Sequence, residues 1–440
     1  MPASSQAPRG PFALLAGLRR ELAVPLYRNA YALMANTVGN SVLGLLYWVL
    51  AARTFPDAAV GRGNALISLM MLVSTFTQLN WSGALIRFLP RAGRSARQML
   101  LTAYVMATGL AAVAACAVMA YCHFARAPDD PLYVSTGVAV WFVVSTMAWS
   151  VFNLQDAALT GLRATVWVPL ENGVYGLVKL LLLVAVARTS LADGVFASWT
   201  IPVIALLVPV NLLLFRRILP RHATAEVDAP HAPARRELAR YMAGDYAAQA
   251  FTQLSSTFLP VLVVSLLGAE QGAYYLPAQT AFAAMGMLAT AITSSLVVEA
   301  ARDEQAAHRL ARAMLRRICV LVLPAGAVVA IAAPWLLELF GSQYRAGATT
   351  VLQLMMLSLV PRVPVALYVA KCRLDNRTGM LAVMQFTQAA LVVGGTAVFA
   401  PTAGLGAVGW SVVAAEGVPA LAVAGPVARW LRRWLLSTPC

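Results

Sequence analysis

Five charged residues stand at least one helical turn inside long apolar runs of this chain: Glu171, Lys179, Asp245, Arg362 and Glu416. A charge at the centre of a bilayer costs about 2.5–3.5 kcal/mol on insertion scales, so each one needs a partner, water or a task. The chemistry on offer is ionic. A buried lysine or arginine in a wet cleft binds an anion, and a carboxylate there takes up a proton or a sodium ion. Glu171 and Lys179 are eight residues apart, roughly 80° round a helix. They suit one wet face or a structural ion pair. Asp245 lies one turn into its run and suits ion coupling or an interface. Arg362 is flanked by Pro361 and Pro364. Proline removes helix hydrogen bonds, and freed carbonyls persist at membrane depth only where protein or water satisfies them. A broken helix carrying an arginine reads as part of a pathway, or as a kink whose arginine snorkels to the surface. Glu416 has no cation close in sequence and reads equally as a neutral core carboxyl.

Arginines gather at the ends of the first two runs. Arg28, Arg87 and Arg91 stand at one mouth, and Arg53 and Arg62 at the other. Guanidinium forks bind phosphate bidentately, and anchoring to the interface is their plainer role. Asn36, Asn40, Asn64, Gln78 and Asn80 lie within those two runs, and Gln249, Gln253 and Gln279 lie in the second half. Amides at such depth face protein or water and serve either a polar cavity or helix–helix contacts.

The elements that must hold these groups are membrane-spanning helices. The chain has 440 residues, 60% hydrophobic and 12% charged, where a soluble domain carries about 25% charged residues. This predicts an all-α polytopic membrane protein. Twelve intervals are long and apolar enough: 29–52, 61–86, 98–122, 132–155, 164–187, 195–215, 241–267, 272–298, 318–340, 346–370, 379–400 and 404–428. With both termini cytoplasmic, most of the 33 Lys and Arg fall in inner connections, and the outer ones hold only Arg53, Arg62, Arg126, Arg188 and Arg345. The net charge of +15 therefore faces the anionic inner leaflet, and nucleic acid has no basic domain to meet.

The predicted organisation is a cytoplasmic tail over 1–28 with an interfacial helix or disorder, an N-lobe over 29–215, a cytoplasmic loop over 216–240, a C-lobe over 241–428 and a tail over 429–440. Six spans per lobe predict parallel repeats related by a pseudo-twofold along the membrane normal. Offset by 211 residues, Gly61 falls on Gly272 and Arg91 on Arg302. The five cysteines and four histidines show no metal or disulfide spacing, and no cofactor is expected. Gly404–Gly409 matches a GxGxxG pattern without the βαβ context that a nucleotide site requires. There is no Walker loop.

The stretches Tyr27–Leu33, Gly44–Arg53, Val60–Ser68 and Arg87–Arg91 resemble the opening of bacterial polysaccharide-biosynthesis membrane proteins. These are O-antigen and exopolysaccharide flippases of the superfamily that also holds the multidrug and toxin extruders and the lipid II flippases. The resemblance covers roughly the first hundred residues. It implies a non-enzymatic carrier of the bacterial inner membrane that moves polyprenyl-pyrophosphate-linked oligosaccharide to the outer leaflet by alternating access. Membrane lipids, H+ or Na+, and polysaccharide assembly proteins are the partners it implies. On that reading Glu171, Lys179, Arg362, Asn36, Asn40, Asn64 and Gln253 line the substrate cavity, and Glu171 and Asp245 couple an ion. Arg28, Arg53, Arg62, Arg87 and Arg91 meet the pyrophosphate at the mouths. The competing expectation is a cation-coupled drug or metabolite antiporter of the same fold.

Overall fold

The computed structural model describes residues 25–189, 193–225, 235–300, 315–374 and 378–435. They are helical almost throughout. The first half comprises α1 (Pro25–Thr54), α2 (Asp57–Thr77), α3 (Trp81–Phe88), α4 (Ala96–Phe124), α5 (Thr136–Gly161), α6 (Trp167–Ala187), α7 (Gly194–Leu213) and α8 (Leu219–Ala225). The second half comprises α9 (Arg235–Thr257), α10 (Leu259–Leu267), α11 (Ala269–Ala300), α12 (Leu323–Glu338), α13 (Ser342–Leu357), α14 (Leu359–Leu374) and α15 (Thr378–Leu435). The long α15 is two helices joined at Gly404, whose φ of 63° and ψ of −151° interrupt the helical path. Among the described residues, nine helical segments are long and apolar enough to cross a membrane. The intervals 29–52 and 272–298 are helical without being among the nine.

Several boundaries differ from those read off the sequence. The outer turn expected over 53–60 contracts to Phe55 and Pro56, because α1 runs to Thr54 and α2 begins at Asp57. Pro56 caps α2 and Asp57 opens it, as suits a helix N-terminus. The interval 61–86 is not one helix. Leu79 and Asn80 take φ of 47° and 63° and separate α2 from α3. The connection expected over 216–240 is helical to Ala225 and again from Arg235. Arginine, leucine and alanine are good helix formers, so charge ends a membrane span without ending the helix. The intervals 241–267 and 346–370 are each broken once, at Phe258 and at Ser358.

Side-chain size sets the packing. On α4, Ala96, Leu100, Ala103, Ala107, Ala111 and Ala115 form a fully buried stripe, while Leu101, Val105 and Val113 are exposed. Small residues let backbones approach where the lipid offers no hydrophobic drive for association, and α4 packs closely on α5. In the first half α1 also packs on α6; in the second, α12 packs on α13, and α9 and α10 pack on α15. The halves meet through α2, which packs on α11, α10 and α9. At their closest approach Gly61 faces Ala269 and Gly272: a Cβ placed on Gly272 would lie 3.7 Å from the Gly61 Cα. These are the glycines that the 211-residue offset superimposes.

Candidate functional site

Among the described residues, the charged groups singled out within the spans fall into two clusters, one in each half. In the first, α6 carries Lys179 and Glu171, both buried. The structure does not pair them. Lys179 Nζ sits 3.7 Å from the ring centroid of Trp199, 4.9 Å from Tyr175 and 5.1 Å from Tyr47. Three ring faces from α7, α6 and α1 therefore surround it, and among the described residues it has no ion pair. A desolvated cation–π contact contributes about 2 kcal/mol. The cage is rigid. Tyr47 Oη donates to the Val195 carbonyl or shares a proton with Ser198 Oγ, each at 2.8 Å, and Tyr175 Oη donates to the Trp199 carbonyl at 3.3 Å.

Glu171 lies two helical turns away, with neither carboxylate oxygen hydrogen-bonded. Asp156 of α5 and Tyr104 of α4 are within its electrostatic reach. Asn172 Nδ2 donates to Asp156 Oδ2 at 3.0 Å, leaving Asp156 Oδ1 without a partner. Tyr104 Oη donates to Asn211 Oδ1 of α7 at 3.1 Å. Four helices thus converge on two carboxylates. Asp156 was not singled out in the sequence because the interval 132–155 stops just before it. Extending that helix to Gly161, the next glycine, would have placed it inside.

In the second half, Arg362 of α14 reaches Glu416 of α15, Nη1 to Oε1, at 3.4 Å. Gln388 Nε2 donates to the other Glu416 oxygen at 2.9 Å. The Arg362 guanidinium lies over Phe282 of α11, 5.3 Å from its centroid. Glu416 thus has a cation that its sequence neighbourhood hid.

The remaining sequence candidates are dispersed. Arg53 donates through Nε to the Leu339 carbonyl at 2.9 Å and through Nη2 to the Glu338 carbonyl at 2.6 Å, which ties α1 to the end of α12. Arg62 pairs with Asp193 at 2.8 Å and reaches the Pro131 carbonyl. Arg87 lies over Tyr241 of α9 at 4.8 Å, and Arg91 is exposed. Asn40 Nδ2 donates to Asn36 Oδ1 at 3.2 Å. Asn64 is buried with its Nδ2 unpartnered, and Gln253 is half-buried. The side chains of Arg28 and Asp245 lie outside the described residues.

The two halves also touch at both ends of the bundle. At the end carrying Arg53, Tyr274 Oη shares its proton between Glu270 Oε1 at 2.8 Å and Asp57 Oδ2 of the other half at 3.2 Å, and Arg126 Nη2 donates to Ser265 Oγ at 3.2 Å. The Asp130 carboxylate, hydrogen-bonded to Arg126 at 2.8 Å, raises the pKa of this connection arginine above its ordinary value. At the other end, Tyr246 Oη donates to the Phe76 carbonyl at 2.8 Å. In a continuous helix that carbonyl would accept from residue 80, where the backbone turns left-handed instead.

No protein family model matches the chain, and no curated protein matches it. Solved structures do. A multidrug resistance MATE family transporter of the MOP superfamily in an inward-facing conformation superposes with a TM-score of 0.70 at 13% identity, covering 93% of this chain and 100% of that one. A MOP superfamily transporter from Pyrococcus furiosus, described by the reverse polarity of its binding pocket, gives 0.63 at 14% identity, with 93% and 96% covered. An outward-facing MATE family transporter of the same superfamily gives 0.63 at 14%, again with 93% and 96% covered. The chain is therefore a multi-pass, all-helical protein with the fold of MOP superfamily transporters.

Proposed function

We propose that this chain is an alternating-access flippase of the bacterial inner membrane. It carries polyprenyl-pyrophosphate-linked oligosaccharide from the inner to the outer leaflet for cell-surface polysaccharide assembly. The observation that carries this reading is the pair of cations within the spans, Lys179 in one half and Arg362 in the other. Among the described residues neither Lys179 nor the Arg362 Nε and Nη2 groups have a hydrogen-bond acceptor. A cation kept at membrane depth without a tight counter-ion suits an anionic headgroup. The polyprenyl tail stays in lipid while the headgroup crosses between the halves. Amides such as Asn40 and Gln253 offer hydrogen bonds to sugar hydroxyls.

A second reading has its own support. Glu171 and Asp156 hold three buried carboxylate oxygens without partners, which suits an H+ or Na+ site of an antiporter or the coupling ion of the flippase. The discriminating experiment measures transbilayer movement of a fluorescent polyprenyl-pyrophosphate oligosaccharide in proteoliposomes. Wild type moves it, and Lys179→Met, which keeps the volume and removes the charge, slows it at least about tenfold, a transition-state loss of about 1.4 kcal/mol. Export of ethidium-type cations with no lipid movement transfers the function to the antiporter.

A further inference from the structure

Arg362 faces α11. On the same helix Val360 is 56% exposed, and Arg362, two residues beyond it, is roughly 200° round the helix from it. Its guanidinium instead lies over Phe282 and beside Gly286 of α11, the helix that packs on α2 of the other half. A Cβ on Gly286 would stand 3.7 Å from Nη2, so a glycine here leaves the fork room to move. The ion pair with Glu416 is slack. Its 3.4 Å separation exceeds the 2.7–2.9 Å of a charge-assisted hydrogen bond, and the arginine side chain is 32% exposed against 10% for the glutamate. The glutamate is the fixed member, because Gln388 Nε2 holds its second oxygen at 2.9 Å.

A guanidinium has five N–H donors in a fork that matches two phosphoryl oxygens. Here one acceptor meets it loosely and the fork's other donors have no acceptor among the described residues. We infer that Arg362 is an exchange site for a phosphate or pyrophosphate headgroup, and that Glu416 is the built-in anion the headgroup displaces. The carboxylate keeps the arginine positioned in the empty protein and sets how tightly the headgroup is held. Gln388 is a positioning residue: it restrains Glu416 from closing fully on Arg362. A headgroup that must leave on the far side gains from this arrangement, since the returning carboxylate assists its release. The inference rests on the proposed anionic cargo.

The test titrates inorganic pyrophosphate into the full-length protein in phosphatidylcholine nanodiscs. Glu416→Gln removes the competing charge and keeps an acceptor for Gln388, so pyrophosphate binds at least about fivefold tighter than to wild type. Gln388→Leu frees the carboxylate to close on Arg362 and weakens binding. With Arg362→Gln in place, adding Glu416→Gln no longer changes the affinity. Equal affinity in wild type and Glu416→Gln, or tighter binding in Gln388→Leu, overturns the exchange. Adding phosphatidylglycerol leaves these affinities unchanged. If that lipid competes only where Arg362 is intact, the resident bilayer rather than the cargo supplies the phosphate, and the assignment to cargo falls. Should the affinities follow this order while oligosaccharide movement is absent, the exchange site stands and the flippase reading alone fails.

Discussion

Replacing Gly61 with alanine places a methyl group where the other half of the protein already is. A Cβ there would lie 1.7 Å from the Ala269 carbonyl oxygen and 2.8 Å from the Ala273 nitrogen. Carbon and carbonyl oxygen need about 3.3 Å, so α2 and α11 must part by about 1.6 Å. The obstacle is backbone on both sides, which cannot rotate away as a flexible side chain would. Overpacking of this kind costs about 1–3 kcal/mol. The methyl is harmless once the helices have separated, so the cost falls only on the arrangement seen here. Under the proposed alternating access, the ratio of forms closed to forms open at this end then drops about 5- to 150-fold. Nitroxides at the exposed Ala58 of α2 and Ala346 of α13 read that ratio by pulsed electron resonance. The Gly61→Ala distribution gains a longer component that wild type lacks. Gly44→Ala serves as the control, because nothing lies within 4 Å of its Cβ, and a helix-interior alanine stabilises by about 0.5–1 kcal/mol. An unchanged distribution in Gly61→Ala, in protein that folds, refutes the expectation that the proposed alternating access parts the halves at this contact.

Arg53→Ala removes two hydrogen bonds that bind α1 to the end of α12. The site is exposed, so the expected loss is about 1 kcal/mol, read as a partial shift of the same spin pair toward the longer distance. Tyr246→Phe acts at the opposite end. It strands the Phe76 carbonyl, whose own helical donor is lost to the left-handed turn at Leu79 and Asn80, and it lowers the midpoint of thermal unfolding in detergent by an amount equivalent to about 1 kcal/mol.

The break after α2 shows why some of the architecture was hidden in the chain. No proline or glycine stands at Leu79–Asn80, and a leucine at positive φ is disfavoured. Asn80, a residue type that tolerates the left-handed region, is the one local sign of the turn. It persists because neighbours hold it: Gln78 Nε2 donates to Ser74 Oγ, Ser74 meets Ser150 of α5, and Tyr246 takes the freed carbonyl. The turn at Pro56 was visible for the opposite reason, since proline cannot continue a helix from the preceding residue. Gly61 was legible only in part. Its match to Gly272 could be seen in the spacing, but the close approach that requires a glycine belongs to two helices far apart in the chain.

What the sequence alone determined is the class of structure and the inventory of unusual groups. With so little charge and such long apolar runs, backbone hydrogen bonds must be satisfied within helices, because the bilayer core has no water to supply partners. The same argument marks Glu171, Lys179, Arg362 and Glu416 as costly residues that require a reason. Only the tertiary structure decided how each one is compensated. Lys179 received ring faces from Tyr47 and Trp199 rather than the carboxylate eight residues away. Glu416 was given Arg362, whereas Glu171 received no hydrogen-bond partner among the described residues and lies near a second carboxylate, Asp156. Compensation acts over a few ångströms of space, and helices bring together residues separated by tens to hundreds of positions. A linear pattern therefore reveals that a buried charge needs a partner, and packing alone selects it.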